Sequence, residues 1–198
     1  MDTYTYQIGE NLYINLTNRC SNACTFCVRN EKASYYGNYL WLKDGEPSAQ
    51  TVIGEIGDPK RYKEVVFCGF GEPTYRLDAM LEIAAYVKAH GGTTRLNTNG
   101  QGSLIAGRDI VPLLVGKIDR VNVSLNNATK ARYEEVCKPK FAEGYEAMLR
   151  FGQDCVKAGL DAWFSVVDVI GAEEVEACRR LAKELGVPLR VREMITDS

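Results

Sequence analysis

The chain is poor in several things, and each shortage narrows what it can be. It has no basic tract: the net charge is −2, with acids and bases mixed along the length. A nucleic-acid surface is therefore not indicated. No apolar run approaches the roughly 20 residues that span a bilayer, so no membrane role is expected. The first seven residues lack a basic-then-apolar leader pattern, and the expected location is the cytoplasm. No low-complexity tract, residue-level repeat or linker interrupts the chain, so one domain is expected over residues 1–198. Histidine is nearly missing. His90 stands alone and, at the end of a predicted helix, is a poor metal ligand.

Cysteine is what the chain has instead. There are seven, clustered and odd in number, which argues for metal or redox work over a disulfide framework. Three fall in Cys20-Ser-Asn-Ala-Cys24-Thr-Phe-Cys27. Three soft ligands on one short loop suit an iron–sulfur cluster or a zinc ion. Zinc needs a remote fourth ligand, and the next cysteine along the chain is Cys68. A four-iron cluster on this loop has one iron left open, and an open metal position signals chemistry, as it does for catalytic zinc. No second cysteine cluster exists, so no auxiliary iron–sulfur cluster is expected. Cys68 is expected in a strand, and Cys155 and Cys178 on helix core faces as small hydrophobes. Cys137 is the one spare thiol within reach of the site.

Six runs read as strands: residues 12–17, 64–69, 93–98, 120–126, 162–168 and 189–194. Helical periodicity covers 47–56, 78–89, 109–115, 141–157 and 172–185. Strands alternating with helices mean βαβ units and a parallel sheet. Four strands carry a polar second face, as where Val121, Val123 and Leu125 alternate with Asn122, Ser124 and Asn126. A doubly wound sheet buries both faces and reads almost continuously apolar. An α/β fold of TIM type, a partial (β/α)6 barrel with a polar lumen, fits better. Functional residues in barrels gather at C-terminal strand ends. The cysteine loop, Gly69-Phe-Gly-Glu-Pro73 and Asn97-Thr-Asn-Gly100 should then share one rim.

Glycines at a strand end let backbone approach a ligand closely. Glu72 supplies a carboxylate for an ammonium, and Pro73 fixes the turn. Alone, such a turn is usually only a turn. One βα unit downstream of the cysteines, it is a strong signal. Cys-x3-Cys-x2-Cys after a first strand, with an aromatic before the last cysteine, resembles the radical S-adenosylmethionine (radical SAM) superfamily. Gly69-Phe-Gly-Glu-Pro73 is similar to its Gly-Gly-Glu-Pro motif, with Phe70 replacing the second glycine. Those stretches, with Leu96-Asn-Thr-Asn-Gly100, Gly107-Arg-Asp-Ile110 and Leu185-Gly-Val-Pro-Leu-Arg-Val-Arg-Glu193, resemble the small TatD-associated radical SAM family. That family is named for its link to TatD-type metal-dependent hydrolases.

The resemblance implies that Cys20, Cys24 and Cys27 bind an oxygen-sensitive [4Fe–4S] cluster. It implies that S-adenosylmethionine (SAM) chelates the open iron. Glu72 and the backbone of Gly69, Phe70 and Gly71 would hold its amino group, and Phe26 would pack near adenine. Ser124 and Asn126 match positions for ribose or the methionine carboxylate, with Asn97 and Asn99 as further candidates. Reductive cleavage of SAM to a 5′-deoxyadenosyl radical, then hydrogen abstraction from a substrate, is the implied reaction. An external one-electron donor of flavodoxin or ferredoxin type is implied, and a TatD-type hydrolase is a possible partner. The cofactor carries this chemistry while the protein positions and excludes. One histidine is no obstacle, because the first step needs no general acid or base.

Arg190 and Arg192 should point into the lumen, where a planar guanidinium pair suits a carboxylate or phosphate. The bland alternatives are pairing with Asp168 or Glu193, or exposure on an edge strand. Residues 29–46 form an insertion carrying Tyr35, Tyr36, Tyr39 and Trp41. It serves either as a lid over the site or as a plug in the barrel. Asn15, Tyr35, Arg190 and Arg192 make up the expected substrate set, and the compact chain favours a small, anionic substrate. Two other readings stand beside this one. One is an activase that generates a glycyl radical on a partner protein. The other is an electron-transfer iron–sulfur module, which needs neither Glu72 nor a polar lumen.

Overall fold

The computed structural model describes residues 2–193. The chain opens with β1 (Thr5–Ile8), which turns back antiparallel onto β2 (Asn11–Ile14). A hairpin of β3 (Ser34–Tyr35) and β4 (Asn38–Tyr39) lies inside the insertion. Then follow α1 (Ala49–Ile56), β5 (Val65–Phe67), α2 (Leu77–Ala89) and β6 (Thr94–Thr98). Next come α3 (Gly102–Ala106), α4 (Val111–Leu114), β7 (Arg120–Ser124), α5 (Lys130–Cys137) and α6 (Gly144–Lys157). The last elements are β8 (Asp161–Val167), α7 (Ala172–Leu185) and β9 (Leu189–Arg192). The main sheet has seven strands in the order β1-β2-β5-β6-β7-β8-β9, parallel from β2 onward. β1 and β9 are its edges, so the curl is that of a partial barrel.

Alternation along the strands sets the two faces. Val121 and Val123 of β7 and Phe164 and Val166 of β8 are fully buried against helices. Each such side chain contributes on the order of 1.5–3 kcal/mol by leaving water. Met148, Phe151 and Cys155 of α6 and Cys178 of α7 complete that layer. Gly152 lets α6 sit close: a Cβ there would stand 2.5 Å from the Phe164 ring. The other face is polar and lines the lumen. Its N-terminal end is closed by buried Glu64, which meets Arg120 at 2.7 Å and Arg95 at 3.4 Å.

Helix ends follow local chemistry. Ser48 Oγ accepts from Thr51 N at 3.1 Å and starts α1. Gly186, at φ 69°, closes α7 in the left-handed region. Asp109 Oδ1 accepts from Val111 N, so the helix expected over 109–115 shrinks to Val111–Leu114.

Several elements differ from the sequence expectation. β1 was not foreseen; it is four residues long and takes its partner from the strand that follows. α5 was also missed, because only Tyr133 and Cys137 of its eight residues are buried, which leaves no apolar periodicity to read. The short α3 was missed as well, and α6 starts at Gly144, after the expected 141. The sixth strand was expected to reach Met194, which lies outside the described residues; β9 ends at Arg192. Among the described residues no helix is long and apolar enough to cross a membrane.

The insertion plays both expected parts. Leu40 and Leu42 are buried, and Leu40 packs with Tyr6 and Phe70 as a plug. Tyr36, Tyr39 and Trp41 are about 40 % exposed and present an aromatic outer face.

Candidate active site

The cysteine loop, the turn after β5 and the turn after β6 meet at the C-terminal end of the sheet, as barrel logic requires. The loop is sewn to its surroundings through backbone. Ala23 N donates to Cys137 O and Thr25 N to Val136 O, both at 2.9 Å, and Lys140 N donates to Ser21 O at 2.8 Å. Arg29 lies inside the loop and donates to the carbonyls of Asn18, Asn22 and Phe70. Nothing in the sequence flagged Arg29, because its role depends on where the loop folds.

Cys20, Cys24 and Cys27 are all half-buried, whereas Cys137, Cys155 and Cys178 are buried. Cys20 Sγ accepts from Asn22 N at 3.4 Å, and Asn99 Nδ2 lies 3.8 Å away. Burial, then the Glu72 carboxylate, push the Cys20 thiol up to about 11. Burial raises Cys27, opposed by Arg29. Contact with Cys137, then burial, raises Cys24, and the same contact lowers Cys137. Among the described residues no three His, Cys, Asp or Glu side chains converge on one ion. A zinc site would draw its thiolates to about 2.3 Å from one centre; a multi-iron cluster accepts a wider triangle. Three soft thiols with N–H donors at sulfur fit the cluster.

The glycine motif works differently from the expectation. A Cβ on Gly69 would stand 2.2 Å from Asn15 Oδ1, and one on Gly71 would stand 2.3 Å from Thr17 O and 2.5 Å from Arg19 O. These glycines are demanded by the neighbouring chain after β2, whatever a ligand then adds. Glu72 is a correction of the same kind. Its Oε1 accepts from Thr74 N, Thr74 Oγ1 and Thr98 Oγ1, at 3.2, 2.7 and 2.7 Å, and Oε2 accepts from Asn99 N at 2.8 Å. The side chain is buried, 3 % of the residue being exposed. Burial raises its pKa against those four donors. Its carboxylate is a strut between the two turns and is not turned outward to an ammonium.

Three expected ligand contacts are likewise occupied within the protein. Asn99 Nδ2 donates to Ser21 Oγ at 2.8 Å, so it holds the cysteine loop. Asn126, at φ 64°, donates from Nδ2 to Cys137 Sγ at 3.3 Å. Asn15 Nδ2 donates to Leu40 O and Thr3 O, and Phe70 N lies 3.4 Å from its Oδ1. Behind the loop, Gln101 Nε2 donates to Asn22 Oδ1 and to Tyr133 Oη, at 2.7 and 3.0 Å. That buried network was not legible, because its members are scattered in sequence.

The remaining expected residues do come together. A cavity of about 290 Å³ beside the loop is lined by Phe26, Cys27, Tyr35, Gly69, Ser124 and Arg192. A larger, open groove of about 600 Å³ lies beside Asp58, Lys60 and His90 at the opposite sheet end, without converging polar groups. Register places Ser124 beside Ser165 and Arg190, and Arg192 beside Val167. The Arg190 guanidinium lies 3.5 Å from the centroid of buried Trp163, a cation–π contact. Deeper in the lumen, Asn97 pairs with the Cys68 thiol. Asn97 Oδ1, Asn122 Oδ1 and Ser165 Oγ are buried without a hydrogen-bond partner. This is a polar chamber with a cationic edge strand.

Comparison with known proteins agrees with that geometry. The Radical SAM superfamily is matched over residues 14–185. A probable GTP 3′,8-cyclase of Thermococcus kodakarensis is 31 % identical over 147 residues, covering 74 % of this chain and 44 % of that protein. Molybdenum cofactor biosynthesis protein 1 of Drosophila melanogaster is 26 % identical over 183 residues, covering 91 % of this chain and 30 % of that one. The chain thus spans about half the length, or less, of such relatives. Among solved structures, Streptococcus suis SuiB bound to S-adenosylmethionine superposes with a TM-score of 0.70 at 15 % identity, covering 94 % of this chain and 41 % of SuiB. The enzyme anSMEcpe with bound AdoMet superposes with a TM-score of 0.63 at 18 % identity, covering 92 % and 50 %. The electron-transfer reading gives way: the chain belongs to the radical SAM superfamily and is an enzyme of the [4Fe–4S] cluster and S-adenosylmethionine.

Proposed function

We propose that Cys20, Cys24 and Cys27 hold the cluster and that the adjoining cavity takes SAM and a small anionic substrate. The observation that carries this is the shared wall: Cys27 and Phe26 line the same cavity as Ser124 and Arg192. When bound, the cluster and SAM supply a 5′-deoxyadenosyl radical that abstracts hydrogen. The chain's own residues do the placing. Phe26 offers a flat apolar face for adenine, Ser124 a hydroxyl for ribose, and the backbone of residues 69–71 lies along the methionyl end. Glu72, Asn99 and Arg29 hold the loops in register.

Arg192, with Arg190 behind it, gives the substrate end a positive wall suited to a carboxylate or phosphate. The relatives named as GTP 3′,8-cyclases act, by that name, on GTP, which is also an anion. A cavity of about 290 Å³ is at the small end for ligand sites, which favours a substrate smaller than a nucleotide. A depression beside Cys20, lined by Arg19, Arg29 and Lys140, suits an acidic one-electron donor such as a flavodoxin or ferredoxin. A TatD-type hydrolase as partner rests on sequence resemblance alone, and co-purification would test it. Glycyl-radical activation is the competing reading, favoured by the open edge at β9, where Val191 is exposed.

The test is anaerobic reconstitution, reduction with dithionite in the presence of SAM, and chromatography for 5′-deoxyadenosine. The product should form, and should vanish in Cys20→Ala, Cys24→Ala and Cys27→Ala. Its absence from the unsubstituted chain with four irons loaded would overturn the proposal. A stable glycyl radical on a co-purified protein would favour the activase.

A further inference from the structure

The three-cysteine loop has a fourth cysteine against it, supplied by α5. Cys137 is the last residue of that helix and is fully buried. Backbone bonds from Ala23 and Thr25 to Cys137 and Val136 stitch both neighbours of Cys24 to the end of α5. The Cys24 and Cys137 side chains are hydrogen-bond partners. On its far side the Cys137 sulfur accepts from Asn126 Nδ2 at 3.3 Å. Asn126 sits just beyond β7 at φ 64°, a left-handed conformation that asparagine tolerates better than most residues.

We propose that Cys137 is a positioning residue that donates its thiol hydrogen bond to the cluster-bound Cys24 sulfur, with Asn126 aiming it. This rests on the cluster reading above. The polarity follows from the groups. A cysteine bound to iron is a thiolate, with no proton to give. Asn126 already donates to the Cys137 sulfur, so the Cys137 proton is directed to Cys24. Direct ligation by Cys137 would instead supply a fourth thiolate and close the open iron. A donor at a ligating sulfur stabilises the more negative, reduced cluster and so raises its potential. Cys137 thereby eases the electron transfer on which SAM cleavage depends.

The test is the midpoint potential of the anaerobically reconstituted full chain, read from the EPR signal of the reduced cluster, with iron content measured alongside. Cys137→Ala should keep its iron and shift the potential to more negative values. Cys137→Ser keeps a donor and should return it toward the unsubstituted value. Asn126→Gly keeps the left-handed backbone, removes the amide, and should give a smaller shift in the same direction as the alanine variant. Equal potentials in Cys137→Ala and the unsubstituted chain would overturn the proposal. So would loss of iron from both Cys137 variants, which would make Cys137 a ligand. An unsubstituted chain that assembles no four-iron cluster would take down the cluster reading as well, and is told apart by its iron content.

Discussion

Replacing Glu72 with glutamine separates a structural carboxylate from a ligand-binding one. The two oxygens of Glu72 receive four hydrogen bonds, three at Oε1 and one at Oε2. Glutamine has one acceptor oxygen. If its carbonyl takes the place of Oε1, its amide N–H faces the Asn99 N–H. A buried donor left without a partner costs about 1–3 kcal/mol, and bonds to a charged group exceed neutral ones by about 1 kcal/mol each. Removing a buried negative charge offsets part of this, since burial opposes the carboxylate. The net loss should be about 2–4 kcal/mol. Equilibrium urea unfolding of the metal-free chain, followed by circular dichroism, reads it directly. With a slope of about 2 kcal/mol per molar, the midpoint should fall by roughly 1–2 M. Thr98→Val, which removes one of the four donors, should lose less, about 1 kcal/mol. A Glu72→Gln protein within about 0.5 kcal/mol of the parent that nevertheless fails to bind SAM would refute the strut and restore the carboxylate as a ligand.

Other expectations follow from the same structure. Gly71→Ala places a Cβ against the Thr17 and Arg19 carbonyls and should cost about 3 kcal/mol or more, at the upper end of overpacking penalties, seen as a collapse in soluble yield. Gly54→Ala, in α1 with nothing within 4 Å, should instead stabilise by about 0.5–1 kcal/mol in the same urea assay. Asn99→Ala removes the bond to Ser21; at about 1 kcal/mol it should speed iron release to a chelator about fivefold, and an unchanged rate would count against Asn99 as a loop clamp. Asp119 is raised by burial but lowered further by Lys88 and Thr94, so its folded pKa is depressed. Its contribution is therefore present above the unfolded value of about 3.9 and is lost as pH falls through the lower folded one. Asp119→Asn should flatten urea midpoints over that acid range.

The fold was legible where one face of a strand differs from the other. Val121 and Val123 against Asn122 and Ser124 indicated the lumen before any coordinates. α5 escaped because a helix that buries only Tyr133 and Cys137 has no periodic stripe. The three thiols were legible because chemistry demands them close in sequence. The clamp made by Asn22, Gln101 and Tyr133 was not, because only folding brings those residues together. Glu72 teaches a related lesson. A residue type at a motif position names the atoms available but not their direction, and here the direction is inward. Gly69 and Gly71 were read as openings for a ligand, whereas the crowding they relieve comes from residues 15–19 of the same chain.

The open iron is tested most directly by EPR of the reduced, reconstituted chain with and without S-adenosylmethionine. A cluster held by Cys20, Cys24 and Cys27 alone should give a four-iron signal whose g values move when SAM is added. The same four-iron signal, unmoved by saturating SAM, would mean that every iron already has its protein ligand, and would contradict the assignment.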